Sequence, residues 1–263
     1  MELKNKVVIV TGGAGGIGSA LGRRFAAEGA RAVVLADRDG VRAEEVASAI
    51  GPVARGVACD VGDDRAVAAL VDDVEKREGP IDLYCANAGI GAGTGLEAPD
   101  AEWNEAWRVN TMGTVVAARH LVPRWVGRGS GYLLVTASAA GLLTSLGDAA
   151  YTATKHAAVG LAEWIWITYS DRGVKVSCLC PQGVRTDMVF GKEAEGNIGI
   201  EQVKLLGVIE PEAVADSVVE GLGDERFLIL PHPEVRDYFR NKADNHGRWL
   251  GGMRKFQRQL KGG

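Results

Sequence analysis

No excess of positive charge, no long apolar run and no metal-binding cysteine pattern marks this chain of 263 residues, and each absence removes a class of function. Thirty Lys and Arg stand against 34 Asp and Glu. The net charge of −4 therefore offers no global attraction to a nucleic-acid backbone or an anionic membrane. No stretch approaches the roughly 20 apolar residues of a membrane span. Met1 to Lys6 lead straight into a strand-like run without the pattern of a signal peptide, so a soluble, cytoplasmic protein is expected. Cys59, Cys85, Cys178 and Cys180 lie in apolar segments that read as strands, and no His or Cys pair has zinc-finger spacing. Buried, reduced thiols and no metal are expected. His120, His156, His232 and His246 form no metal pattern either, and His156 is expected to point off any active face. There is no repeat, low-complexity tract or interdomain linker.

What is present is an ordinary globular composition, 46% hydrophobic and 24% charged, in which short apolar runs alternate with longer helical ones. Strands are read over 6–10, 31–36, 53–59, 82–86, 131–136, 174–180 and 227–230, and helices over 16–28, 40–50, 63–77, 100–127, 150–170 and 211–222. That alternation predicts an α/β fold with a doubly wound, Rossmann-like parallel sheet. Val7-Val8-Ile9-Val10 is apolar at every position, as a strand covered by helices on both faces should be. One domain over 1–231 is expected, followed by a helical tail over 232–263. In the tail Trp249, Met253, Phe256 and Leu260 fall at helical spacing, beside a basic set of Arg248, Arg254, Lys255, Arg258 and Lys261. Packing on the domain, on a neighbouring subunit or beside the substrate entrance is expected over a membrane-surface role, since the body is acidic and Gly251-Gly252 weakens a free-standing helix.

Two groups of residues carry chemistry. Thr11-Gly12-Gly13-Ala14-Gly15-Gly16-Ile17-Gly18 follows a strand and opens a helix, so unpaired N–H groups and the helix dipole would face a pyrophosphate. Asp37, nineteen positions after Gly18, can accept hydrogen bonds from an adenosine ribose and would repel a 2′-phosphate. Arg38 pulls the other way, and NAD is expected over NADP. Further along, Tyr151 and Lys155 stand one helical turn apart, with Ser138 and Asn110 upstream. An ammonium beside a tyrosine favours the phenolate, so Lys155 is expected to bring Tyr151, ordinarily near pKa 10, toward neutrality.

In these motifs the chain resembles the short-chain dehydrogenase/reductase family in its single-domain branch, over roughly residues 5 to 231: the glycine turn matches Thr-Gly-x-x-x-Gly-x-Gly and the middle matches Ser…Tyr-x-x-x-Lys. The resemblance implies an NAD-dependent oxidoreductase acting on a secondary alcohol or ketone, with Asn110, Ser138, Tyr151 and Lys155 as catalytic residues. It assigns Gly12, Gly16, Ile17, Gly18, Asp37, Asp60, Val61, Asn87, Gly89, Tyr151, Lys155, Val184 and Thr186 to the cofactor. Asp60-Val61 would hold adenine, Val184 and Thr186 the nicotinamide carboxamide, and Asn110 a water linking Lys155 to solvent. Ala86 stands where the family often has a second Asn. Gln182 replaces a usual glycine after Pro181; either Gly183 supplies the backbone freedom or Gln182 enters the active site. A hydrophobic substrate wall is expected from 90–96, 142–146 and the segment after Asp187, including Leu142, Leu143, Leu146, Met188, Val189 and Phe190, with 191–206 as a mobile lid. Family members pair through the segments 100–127 and 150–170, and Trp103, Trp107, Trp125, Trp164 and Trp166 would supply interface surface in a homotetramer. A dinucleotide-sensing regulator or an NADP-dependent ketone reductase is the alternative; a sensor would not need the four catalytic residues. A dehydratase or epimerase is disfavoured because such relatives are typically longer.

Overall fold

Val7 to Val10 are fully buried, which follows from their place at the centre of a parallel sheet with helices on both faces. The computed structural model describes residues 1–91, 95–191 and 198–262. In chain order the elements are β1 (Val7–Thr11), α1 (Gly16–Ala27), β2 (Ala32–Asp37), α2 (Gly40–Ile50), β3 (Ala54–Ala58), α3 (Asp64–Glu78), β4 (Leu83–Ala86), α4 (Asp100–Trp107), α5 (Gly113–Arg128), β5 (Gly131–Thr136), α6 (Ala149–Tyr169) and β6 (Val174–Leu179). They continue with β7 (Gly183–Val184), α7 (Asp187–Phe190), α8 (Ile198–Leu206), β8 (Val208–Ile209), α9 (Pro211–Gly223), β9 (Leu228–Ile229), α10 (Glu234–Asp244) and α11 (His246–Leu260).

Seven strands form one parallel sheet in the order β3-β2-β1-β4-β5-β6-β9. Leu21, Phe25, Val214, Val218 and Leu222, from α1 and α9, cover one face. Val71, Val74, Leu121, Ala158 and Ile165, from α3, α5 and α6, cover the other. The order reverses between β1 and β4, so the loops leaving their carboxyl ends diverge and open a crevice, the usual ligand position in such sheets.

Four departures from the sequence expectations have physical causes. The helix expected over 100–127 is interrupted at Arg108–Met112 by a π-helical turn carrying Asn110, whose amide is tied to the backbone of Ile90. Trp125 is no interface residue, because its ring is fully buried and its Nε1 donates to the Ile81 carbonyl at 2.8 Å. The expected lid over 191–206 contains helix α8, with Ile200, Val203 and Leu206 at helical spacing; residues 192–197 lie outside the described residues. A short parallel pair, β7 with β8, was not read from the sequence at all.

Candidate active site

At the crevice, the glycine turn between β1 and α1 is shaped by steric demand. Gly12 and Gly16 have φ of +65° and +52°, and a Cβ on Gly18 would collide with the Gly12 carbonyl. Gly15 caps α1 without a side-chain hydrogen bond, so no side chain competes for the first-turn N–H groups. Ile17 is partly buried against the core below the turn. Thr11 Oγ1 accepts from the N–H groups of Asn87 and Ala88 and donates to the Cys85 carbonyl, while Asn87 Nδ2 donates to the Thr11 carbonyl at 2.9 Å. The Asn87 side chain therefore locks β4 to the glycine turn.

Asp37 ends β2, and its two carboxylate oxygens accept the N–H groups of Ala14 and Asp39, each at 3.1 Å. A carboxylate has about four acceptor positions, so capacity for ribose hydroxyls remains. Asp60 accepts the Arg108 guanidinium at 2.8 Å and the Gly62 N–H at 2.9 Å. The Arg108 hydrogen bond is the largest cause of its lowered pKa. Arg108 also forks onto Glu105, which ties the loop after β3 to the π turn; this network had no sequence signal. Val61 is buried against Gly113 at the start of α5. At the other side of the crevice Val184 is buried in β7, and Thr186 touches the turn, since a Cβ on Gly16 would stand 2.9 Å from its methyl group. Uncapped donors, a carboxylate with spare acceptor positions and a glycine turn closed by Thr186 make these residues fit a dinucleotide.

Beyond that cleft, the polar side chains expected from the sequence converge. Ser138 begins the turn after β5, and its Oγ accepts the Ala140 N–H at 3.1 Å and hydrogen-bonds Tyr151. Tyr151 lies in the first turn of α6, whose N-cap Asp148 accepts the Tyr151 N–H at 2.8 Å. Lys155, one turn on, is 3% exposed and its Nζ donates to the Thr136 carbonyl at 3.0 Å. The ammonium lies 5.5 Å from the centre of the Tyr151 ring. Gly89 leaves room between Lys155 and Asn110: a Cβ there would stand 3.2 Å from Nζ and 3.3 Å from Oδ1. Asn110 Oδ1 accepts the Ile90 N–H, and Nδ2 donates to the Ile90 carbonyl and to Thr154 Oγ1.

The electrostatics differ from the expectation that Lys155 draws Tyr151 toward neutrality. Burial raises the Tyr151 pKa, opposed by the Ser138 hydrogen bond. Burial also lowers Lys155 to about 8, against a smaller opposing effect of the Cys180 and Cys178 thiols. Desolvation disfavours both charged forms, and for each group it is the largest effect.

Ser138 and Tyr151 open onto a cavity of about 520 Å³. Gly91, Leu143, Thr144 and Ser145 line one side, Met188, Val189, Ile200, Val203 and Leu206 another, and Trp249, Met253 and Phe256 of α11 a third. Of the wall residues expected, Leu142 and Leu146 are buried beside it instead and Phe190 stacks under Arg185, while 92–94 lie outside the described residues. Gln182 does enter, with Gln202, Tyr238 and Asn241 as further polar lining. His156 points away from it, with Nδ1 2.9 Å from the Thr152 carbonyl.

The short chain dehydrogenase family model matches residues 6–196. The chain belongs to the short-chain dehydrogenase/reductase family. Its members are oxidoreductases that use a nicotinamide cofactor. Similar proteins include 1-deoxy-11-beta-hydroxypentalenate dehydrogenase of Streptomyces exfoliatus, 36% identical over 93% of this chain and 90% of that protein. Sex determination protein tasselseed-2 of Zea mays is 40% identical over 74% of this chain, which spans 60% of the maize protein. Among solved structures, a short-chain dehydrogenase/reductase from Burkholderia phymatum in complex with NAD superposes with a TM-score of 0.85 at 28% identity, covering 93% of this chain and 95% of that one.

Proposed function

We propose that this oxidoreductase interconverts a bulky, largely apolar secondary alcohol and its ketone, using NAD. The observation carrying the proposal is the cavity at Ser138 and Tyr151: its 520 Å³ falls in the range that encloses drug-sized ligands, and its far walls are hydrocarbon. In oxidation Tyr151, as the phenolate, takes the alcohol proton, and in reduction its hydroxyl returns one to the carbonyl oxygen. Ser138 hydrogen-bonds the same oxygen and fixes the carbinol carbon. Lys155 passes the proton onward through a water that Asn110 would hold, and Gly89 leaves open space between the two side chains. The bound nicotinamide supplies the hydride acceptor. Gly12, Gly16, Ile17, Gly18, Asp37, Asp60, Val61, Gly89, Val184 and Thr186 hold the cofactor, and Asn87 supports it through Thr11.

Asp37 favours NAD, because its carboxylate would repel a 2′-phosphate, whereas the Arg38 guanidinium works in the opposite sense. Asp37→Ala should narrow the preference for NAD; a wild type that turns over faster with NADP would reject the assignment. Residues 232–263 act in this reading as a wall of the substrate site. The relative that dehydrogenates a hydroxylated pentalenate supports a bulky hydroxyl compound as substrate. A homotetramer is part of the proposal, as is a reducing, cytoplasmic setting that suits four free, buried thiols.

The test is a panel of secondary alcohols, from 2-butanol to bicyclic and steroid alcohols, with NAD or NADP and absorbance of the reduced cofactor as readout. Bulky apolar members should exceed 2-butanol in kcat/KM by about tenfold or more, since each buried methylene is worth about 0.8 kcal/mol. Turnover confined to small or polar alcohols would sink the substrate assignment.

A further inference from the structure

His232 lies between β9 and α10, 3% exposed, and both ring nitrogens are engaged by neighbouring backbone groups. Nδ1 faces the Gln182 N–H at 3.1 Å, and Nε2 faces the Gly183 carbonyl at 3.0 Å. An N–H can only donate, so Nδ1 is the acceptor, and the carbonyl requires the proton on Nε2. Burial lowers the pKa, which agrees with a neutral ring. A single imidazole thus bridges consecutive residues of the loop leaving β6.

That loop is tied on its other side to the catalytic serine: the Pro181 carbonyl accepts the Ala139 N–H at 2.8 Å and the Ser138 Oγ at 3.5 Å. Downstream it becomes β7 and reaches Thr186 against the glycine turn. The Gln182 side chain projects into the cavity, where its Nε2 approaches the Leu206 carbonyl at 3.5 Å. We propose that His232 is a positioning residue for the reaction, whose two hydrogen bonds set Gln182 in the substrate cavity and Val184–Thr186 at the nicotinamide end of the cofactor cleft. The proposal rests on the reading that Val184–Thr186 faces nicotinamide.

Two substitutions in the full chain separate these roles. His232→Phe keeps a ring of similar size and removes both hydrogen bonds, whereas His232→Asn places an amide oxygen near the position of Nδ1 and can restore the Gln182 bond. Titration of NADH fluorescence should show affinity weakened roughly tenfold by Phe and roughly threefold by Asn, since a buried polar group left unpaired is costly. With a bulky alcohol, kcat should fall in the same order, well below either melting temperature. A Phe variant with a lower melting temperature but unchanged NADH affinity, kcat and KM would overturn the proposal. Should that variant not fold, an Asn variant equal to wild type in affinity and kcat overturns it instead. NADH titration needs no substrate, so an enzyme that binds NADH but oxidises no alcohol on the panel refutes the substrate reading and still leaves His232 to be decided by binding.

Discussion

Burial acts on Tyr151 and Lys155 in opposite senses, raising the phenol and lowering the ammonium, and both can be tested in solution. Tyr151→Phe should hold cofactor affinity within a few-fold and lose about 10²–10⁴ in turnover, because the ring stays and only the acid–base hydroxyl goes. Steady-state rates above about a tenth of wild type would remove Tyr151 from the mechanism. For Lys155, the folded pKa of about 8 lies below the ordinary 10.5. Between these values the unfolded chain binds more protons, so this group makes stability rise with pH from about 8 to 10.5, while below 8 the cost of burying the ammonium is present in full. Melting temperatures of Lys155→Met and wild type, compared from pH 7 to 10, should therefore show their largest difference in favour of Met at pH 7, shrinking as pH rises. A difference independent of pH would contradict the burial of a charged Lys155. Tyr151, Lys155, Ser138 and the glycines were legible in the sequence because their chemistry depends on short spacings. Arg108 and His232 were not: their partners Asp60 and Gln182 lie 48 and 50 positions away, brought close only by the order of the strands.

At the scale of elements, the buried strands were readable wherever both faces are covered, as in β1, because nothing but hydrocarbon suits those positions. The edge strand β3 was also read, over 53–59, although it is half-buried and carries Arg55 paired with Glu78. The π turn at Arg108–Met112 leaves no mark on apolar periodicity, since the residues on either side both read as helix. In the tail, the spacing of Trp249, Met253, Phe256 and Leu260 marked α11 and left open whether it faces a subunit or the substrate entrance. That is decided by Lys242 in the last turn of α10, whose ammonium donates to the Leu142 and Leu143 carbonyls at 2.7 and 3.0 Å and lies 5.0 Å from the Trp249 ring centre. Lys242→Met should loosen α10 and α11 from the loop after Ser138. KM for a bulky alcohol should then rise about tenfold, with NADH affinity unchanged, as expected for charge-assisted hydrogen bonds at a partly exposed site. Equal KM values for bulky and small alcohols before and after the substitution would show that the tail does not bound the substrate.

Across the whole molecule, one helix carries large apolar side chains that the other described residues leave largely exposed. Trp164, Trp166 and Ile167 of α6 are 56%, 44% and 72% exposed, whereas most large apolar side chains are inside. Light scattering at micromolar concentration should give the mass of a homotetramer, or of a dimer; a monomer would contradict the assembly proposed. Replacing Trp164 and Ile167 together by Lys should lower that mass and leave NADH binding intact. The cavity wall supplied by α11 has a different consequence, in the order of synthesis. A nascent chain released as far as Pro231 already holds all seven strands of the sheet, the glycine turn and the Ser138–Tyr151–Lys155 set. It has neither the imidazole that bridges Gln182 and Gly183 nor Trp249, Met253 and Phe256. Most of the proposed dinucleotide cleft is thus laid down before His232 is made, while its nicotinamide end and one wall of the cavity wait for the final helices. One wall of the cavity therefore occupies a stretch of the gene of its own, and exchanging the codons of α11 alone would reshape that wall while the glycine turn, Asp37 and His232 are inherited unchanged.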